Sequence, residues 1–212
     1  MKKQDTALAA LLAHVTGLSK DIVAEAKQLG LDPYEDAHVA AYEAYKAGDF
    51  KTAIIIYRTL ADQGEASAQF CLGIAYEHGQ GVPQNYEEAA KWYRMAAEQG
   101  HAFAQFSLGA AYATGQGVPQ NYEEAAKWYR MAADQGSVSA QFSLGVAYVT
   151  GIGAPQNNVL AYMLFSLVAT GGDKTAVQNR DTILKKMTPA EIAKGQELAA
   201  KWKPGTPIPT SY

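Results

Sequence analysis

The sequence predicts an all-α fold, a right-handed α/α solenoid (superhelix) of about four helix-pair repeats of 36 residues with terminal capping helices. Two observations predict it. The segment GQGVPQNYEEAAKWYRMAAEQG, Gly79 to Gly100, returns as GQGVPQNYEEAAKWYRMAADQG at Gly115 to Gly136, 36 residues later, with only Glu98 becoming Asp134. The stretches ahead of these loops repeat as well: AQFCLGIAY ends at Tyr76, AQFSLGAAY at Tyr112 and AQFSLGVAY at Tyr148. A fixed period of this length marks units that cannot bury their apolar faces alone and must stack on neighbours.

Each period reads as two helices. Helix A places Ala104, Leu108 and Tyr112 at i, i+4 and i+8 on one face. A glycine beside that face weakens a helix by about 1 kcal/mol. Its recurrence at Gly73, Gly109 and Gly145 predicts that another helix presses on bare backbone there. Gly79, Gly115 and Gly151 then end helix A, since glycine accepts the left-handed terminal conformation. Helix B opens on Asn85 or Asn121 as N-cap, with Glu88 or Glu124 three residues on in a capping-box-like pattern. Ala89, Trp92, Tyr93, Ala96 and Ala97 form its apolar stripe. Glu87 with Lys91, and Arg94 with Glu98, are expected i,i+4 pairs on the solvated side, and Gly100 ends the helix.

The pattern A-x-x-x-L-G-x-x-Y-x-x-G-x-G-V-P-Q-N-Y-x-x-A-x-x-W-Y-x-x-A-A-x-x-G resembles the Sel-one-like repeat (SLR) family, relatives of the tetratricopeptide repeats. Two repeats match almost throughout, from Ala68 to Gly136; a third, Ala140 to Gly171, matches well in helix A and loosely in helix B. Upstream, Ala41 to Gly64 reads as a repeat with a shortened loop, whose Gly48-Asp49-Phe50 and Ala53 resemble the tetratricopeptide turn. The expected division is residues 1–40 as N-terminal capping helices before and after Gly17, and 41–171 as repeats at 41–67, 68–103, 104–139 and 140–171. Residues 172–203 form C-terminal capping helices, with Thr188 as N-cap and Pro189 at N1 of a helix reaching Trp202. Residues 204–212 are expected to be a flexible tail.

Composition bounds the function. Of 212 residues 48% are hydrophobic and 18% charged, and the net charge is −3, so no broad basic field favours nucleic acid or anionic lipid. Cys71 alone cannot build a disulfide framework or a multi-cysteine metal site. At the N-terminus an apolar run from Ala7 to Ala13 follows two lysines. Gln4 and Asp5 interrupt the junction between the lysines and the run, His14 ends the run, and no small-x-small cleavage site follows, so an amphipathic helix is expected rather than a signal peptide. No run reaches membrane-spanning length, so no transmembrane segment is expected. Cytoplasmic placement is favoured, with periplasmic or secreted placement left open.

Catalytic constellations are missing. Gly79-Gln80-Gly81 lacks the third glycine and the preceding strand of a dinucleotide site. No serine stands three residues before a lysine. His14, His38, His78 and His101 have no metal-ligand spacing. Glu87-Glu88 and Glu123-Glu124 occupy first helical turns, where they complement the dipole. Trp92, Tyr93, Trp128 and Tyr129 fall at core spacing rather than as base-stacking platforms. No enzyme activity, cofactor, metal or nucleic-acid partner is expected.

The resemblance implies a scaffold or adaptor that binds a partner protein or peptide on a concave groove formed by the A helices. With Leu108 pointing inward, a helical wheel gathers Phe103, Ser107, Ala110 and Thr114 on the face away from the core. Their equivalents are Ser67, Cys71, Ile74 and His78, then Ser139, Ser143, Val146 and Thr150. The strip is small and weakly polar, which favours an extended peptide or a helix with apolar anchors. For some of its members, Phe103 and Ile74 among them, packing between repeats is an equal reading. A second reading, also implied by the resemblance, is an envelope-associated protein binding a cell-wall glycan or a β-lactam-like ligand. A monomer is slightly favoured.

Overall fold

A computed structural model describes residues 2–17 and 32–210, and among these residues it contains eleven helices and no strand. They are α1 (Lys2–Gly17), α2 (Glu35–Lys46), α3 (Phe50–Asp62), α4 (Ala66–His78), α5 (Tyr86–Glu98), α6 (Ala102–Thr114), α7 (Tyr122–Asp134), α8 (Val138–Thr150), α9 (Asn158–Ala169), α10 (Lys174–Leu184) and α11 (Pro189–Lys201). The chain divides into two compact units, Met1–Ala96 and Ala97–Tyr212, with the division inside α5. The helix expected after Gly17 lies outside the described residues.

In the first unit α2 packs on α3 and α3 on α4, and α1 lies against α2 and α3. Val15, Tyr34, Ala41, Ile56, Leu60 and Leu72 are buried in its core. Because Tyr34, Ala37 and Ala41 form a buried stripe, the helix begins at Glu35, and the boundary drawn at residue 41 falls within it. In the second unit α6, α7, α8 and α9 pack in succession, and α9 also carries α10 and α11. Helix α9 is buried nearly all round, from Val159 to Phe165, as a helix covered on several sides must be.

The recurrent glycines do what their positions predict. A Cβ on Gly73 would sit 2.4 Å from the Tyr93 ring, one on Gly109 2.7 Å from Tyr129, and one on Gly145 3.0 Å from Phe165. Each helix A thus receives an aromatic ring from the helix B that follows it, at a distance only a missing side chain allows. Gly79, Gly115 and Gly151 cap their helices at φ 69°, 76° and 74°.

The copied loop residues close the helix ends. Backbone N–H groups of Asn85, Asn121 and Asn157 donate to the carbonyls of Tyr76, Tyr112 and Tyr148 at 2.8, 2.9 and 2.9 Å. The amides of Gln84, Gln120 and Gln156 donate to Glu77, Ala113 and Val149 at 2.7, 2.8 and 3.0 Å. These bonds satisfy carbonyls that a helix C-terminus leaves without partners. Buried Gln69, Gln105 and Gln141 reach back to the carbonyls of Ala61, Ala97 and Ala133, tying each helix A to the end of the helix B before it.

Three expectations need correction. The Asn85 and Asn121 side chains do cap helix B, accepting from Glu87 and Glu88 and from Glu123 and Glu124. Glu88 and Glu124, however, turn outward to Lys91 and Lys127 at 2.6 Å, so Lys91 pairs at i,i+3 rather than with Glu87. A true capping box occurs instead at Thr188 and Glu191. The tail is the third. Residues 203–210 run back over the second unit, where Ile208 is only 2% exposed. The composition suggested a loose end; burial of one isoleucine and hydrogen bonds to Asp134 and Arg130 hold it down.

Candidate functional site

Each unit carries an open apolar groove between a helix B and the helix A that follows it. In the first unit the groove encloses about 210 Å³ and is lined by Phe50, Ile54 and Tyr57 of α3, Cys71 and Ile74 of α4, and Tyr42 and Tyr45 of α2. In the second it encloses about 310 Å³, lined by Tyr122, Ala126 and Tyr129 of α7, Ser143, Val146 and Thr150 of α8, and Ile152. Tyr57, Cys71 and Ile74 stand 72 residues before Tyr129, Ser143 and Val146, so two copies of one arrangement recur at twice the repeat length. Neither lining contains Asp, Glu, Lys, Arg or His.

The ring at the base of each groove lines it together with a residue of the helix A that follows, Tyr57 with Cys71 and Tyr129 with Ser143. Burial foremost raises both phenol pKa values. Burial also dominates at the Cys71 thiol, pushed up to about 11, which makes it a neutral packing group at physiological pH rather than a nucleophile. At the rim, the Tyr45 hydroxyl donates to Gln80 at 3.1 Å and the Tyr45 ring meets Phe50 edge-on at 5.2 Å. Tyr42 is 55% exposed beside the groove, an amphipathic surface of the kind that anchors partners.

The structure divides the strip expected on the A helices. Cys71, Ile74, Ser143, Val146 and Thr150 line the grooves. Ser67 is half-buried in the first turn of α4, His78 is exposed at its end, and Ser139 is exposed at the start of α8. Phe103 is strongly exposed on α6, Ser107 and Ala110 are half-buried, and Thr114 is exposed. The hydroxyls of Thr114 and Thr150 donate into their own helices, to Ala110 and Val146 at 2.9 Å, so they offer little to a ligand. His101 caps α6, its Nδ1 accepting from Ala104 at 3.2 Å.

Sequence reasoning missed the helix B contribution. Tyr129 falls at core spacing in the sequence, and the structure shows that it and its counterpart Tyr57 each both pack inward and floor a groove. Their 72-residue spacing was the available signal; the residue facing each ring across the groove was not readable from periodicity.

A third cavity, about 650 Å³, lies in the second unit on another side of α7 and α8, lined by Glu123, Lys127, Arg130, Tyr148 and the 151–157 loop, with Thr210 of the tail at its edge. Among the described residues no helix is long and apolar enough to cross a membrane.

Comparison with known proteins places these repeats. Residues 66–101, 102–137 and 138–173 match the Sel1 repeat, together just over half of the chain. A Sel1 repeat protein from Oxalobacter formigenes is similar in structure, with 32% identity, 81% of this chain and 79% of that one covered, and a TM-score of 0.61. The protein c5321, described as a protective antigen present in uropathogenic Escherichia coli strains and displaying an SLR fold, shares 29% identity at a TM-score of 0.52. That match covers 70% of this chain and 40% of the other. Comparison with curated proteins gives no significant match.

Proposed function

Because the chain belongs to the Sel1 repeat family, whose members are generally protein-interaction scaffolds, we propose that it binds a partner protein or peptide by seating apolar side chains in the two tyrosine-floored grooves. The observation that carries this reading is their recurrence. The same neutral, apolar lining appears at Tyr57, Cys71 and Ile74 and at Tyr129, Ser143 and Val146. Uncharged linings favour apolar anchors over a peptide carboxylate, and removing such surface from water is worth roughly 25 cal/mol per Å².

The test uses peptides selected from a random displayed library on the intact chain. Ile74→Arg and Val146→Arg place a charge at each groove while leaving the buried Leu72 and Leu144 untouched. Selected peptides should bind the doubly substituted chain at least about tenfold more weakly, the loss expected for burying an unpaired charge, with helical circular dichroism preserved. Equal binding by a folded variant would sink the groove reading. The scaffold reading excludes turnover, so an activity retained by the purified chain and abolished by a single polar substitution would also count against it.

A further inference from the structure

The tail of this chain shows how one of its surfaces holds an extended segment. In Pro207-Ile208-Pro209 the prolines have no N–H, so Ile208 supplies the one amide donor of the tripeptide. That N–H donates to Asp134 Oδ1 at 2.7 Å, and the Ile208 carbonyl accepts from Arg130 Nη1 at 2.7 Å. The N–H of Gly205 donates to the Asp134 carbonyl at 2.7 Å. Arg130 is itself steadied by Tyr148, whose hydroxyl accepts from Nη2 and whose ring lies 5.8 Å from the guanidinium. One residue is therefore gripped by both backbone groups while its side chain is buried.

The residues of this clamp recur in the first unit. Arg58 and Asp62 stand on α3 as Arg130 and Asp134 stand on α7, and Tyr76 follows Arg58 as Tyr148 follows Arg130, all 72 residues earlier. Arg58 Nη2 donates to the Tyr76 hydroxyl at 2.6 Å, and its guanidinium lies 6.0 Å from the ring. Arg58 and Asp62 are exposed. One turn before Arg58 on this helix, and two before Asp62, Ile55 stands 47% exposed where the second unit has Lys127, which makes the first surface the more apolar of the two.

We propose that Arg58, Asp62 and Tyr76 form a second peptide-binding site, for an extended segment of another protein in which a branched aliphatic residue stands between prolines. Asp62 accepts the aliphatic residue's N–H, Arg58 donates to its carbonyl, and the side chain packs toward Ile55. Flanking prolines keep the segment extended and remove amide donors that would otherwise go unsatisfied. The chain's own tail is held at its own clamp, so the occupant comes from elsewhere. This surface is separate from the tyrosine-floored grooves and does not depend on them.

A fluorescent peptide with the sequence of residues 203–210, titrated onto the intact chain, tests this by polarisation. Binding should weaken by about tenfold or more in Arg58→Leu and in Asp62→Ala, as expected for losing a charge-assisted hydrogen bond. It should weaken likewise when the peptide carries Ile208→Asp. Asp62→Ala guards against misfolding in the arginine variant, and thermal unfolding checks both. No binding to the unsubstituted chain, or equal binding by both folded variants or by the Ile208→Asp peptide, overturns the proposal. So does a concentration-dependent dimer that dissociates when the chain carries Ile208→Asp, which would assign the surface to a second copy.

Discussion

Alanine at Gly73, Gly109 and Gly145 offers one chemical change at three measured gaps. In a free helix each substitution should stabilise by about 1 kcal/mol, because alanine loses less backbone entropy than glycine. Here each new methyl meets a ring: Tyr93 at 2.4 Å, Tyr129 at 2.7 Å and Phe165 at 3.0 Å. Overpacking of a tight interior costs about 1–3 kcal/mol, and the ring cannot yield as the end of a flexible side chain would. Subtracting the propensity gain leaves Gly73→Ala destabilising by about 1–2 kcal/mol, Gly109→Ala by about 1 kcal/mol, and Gly145→Ala close to neutral. Urea unfolding followed by circular dichroism gives the order, and amide exchange in α4, α6 and α8 locates the loss, since repeat arrays need not unfold in one step. A double-mutant cycle of Gly73→Ala with Tyr93→Leu should show coupling of about 0.5–3 kcal/mol, because removing the ring removes the clash. Stabilisation by Gly73→Ala, or the reverse order across the series, would refute the claim that these glycines exist to admit rings.

Three further outcomes follow from the same geometry. Glu65 caps α4 and lies 3.3 Å from His38; burial opposes its charge, but hydrogen bonds from His38, Ala68 and Ser67 outweigh it and lower the carboxyl to about 2, while the Glu65 bond raises His38. The Glu65 contribution is complete above its ordinary value of 4.5 and fades as pH falls toward 2, whereas that of His38 is complete below 6.5 and fades as pH rises through its raised value. Exchange protection of α4 should therefore peak between those limits, and His38→Gln should flatten the alkaline limb; an unchanged limb would refute the pairing. Asn121→Ala removes an acceptor for two N–H groups at 3.0 and 3.1 Å and should cost about 0.5–2 kcal/mol in urea titrations. Ile208→Asp should release the tail and expose residues 203–210 to protease, lowering stability by about 1.5–3 kcal/mol; continued protection would mean that Ile208 is not what anchors it.

The periodic part of this molecule was legible because it is local. Gly79, Gly115 and Gly151 end helices through their own φ angles, Asn85 and Asn121 cap through bonds two and three residues away, and the stripe from Ala89 to Ala97 needs only helical spacing. Even the close helix approach at Gly73 could be anticipated, since a repeated glycine has no local reason to sit within a helix; that the approaching group is a ring was shown by the structure. The wheel likewise put Cys71, Ile74, Ser143 and Val146 on an outward face, and these residues do border the grooves.

The sequence by itself determined the repeat length, the helix ends and the apolar stripes, because each is settled by interactions within a few residues. Only the tertiary structure decided that Tyr57 and Tyr129 floor grooves as well as filling a core, and that Glu88 turns to Lys91 instead of closing a capping box. It alone decided the course of the tail: Ile208 meets Arg130 and Asp134 more than seventy residues away in the chain. Composition registers three prolines and a glycine near the end of the chain. It cannot register the pair of side chains, one turn apart on a distant helix, that accept one N–H and supply one donor to the residue between two prolines.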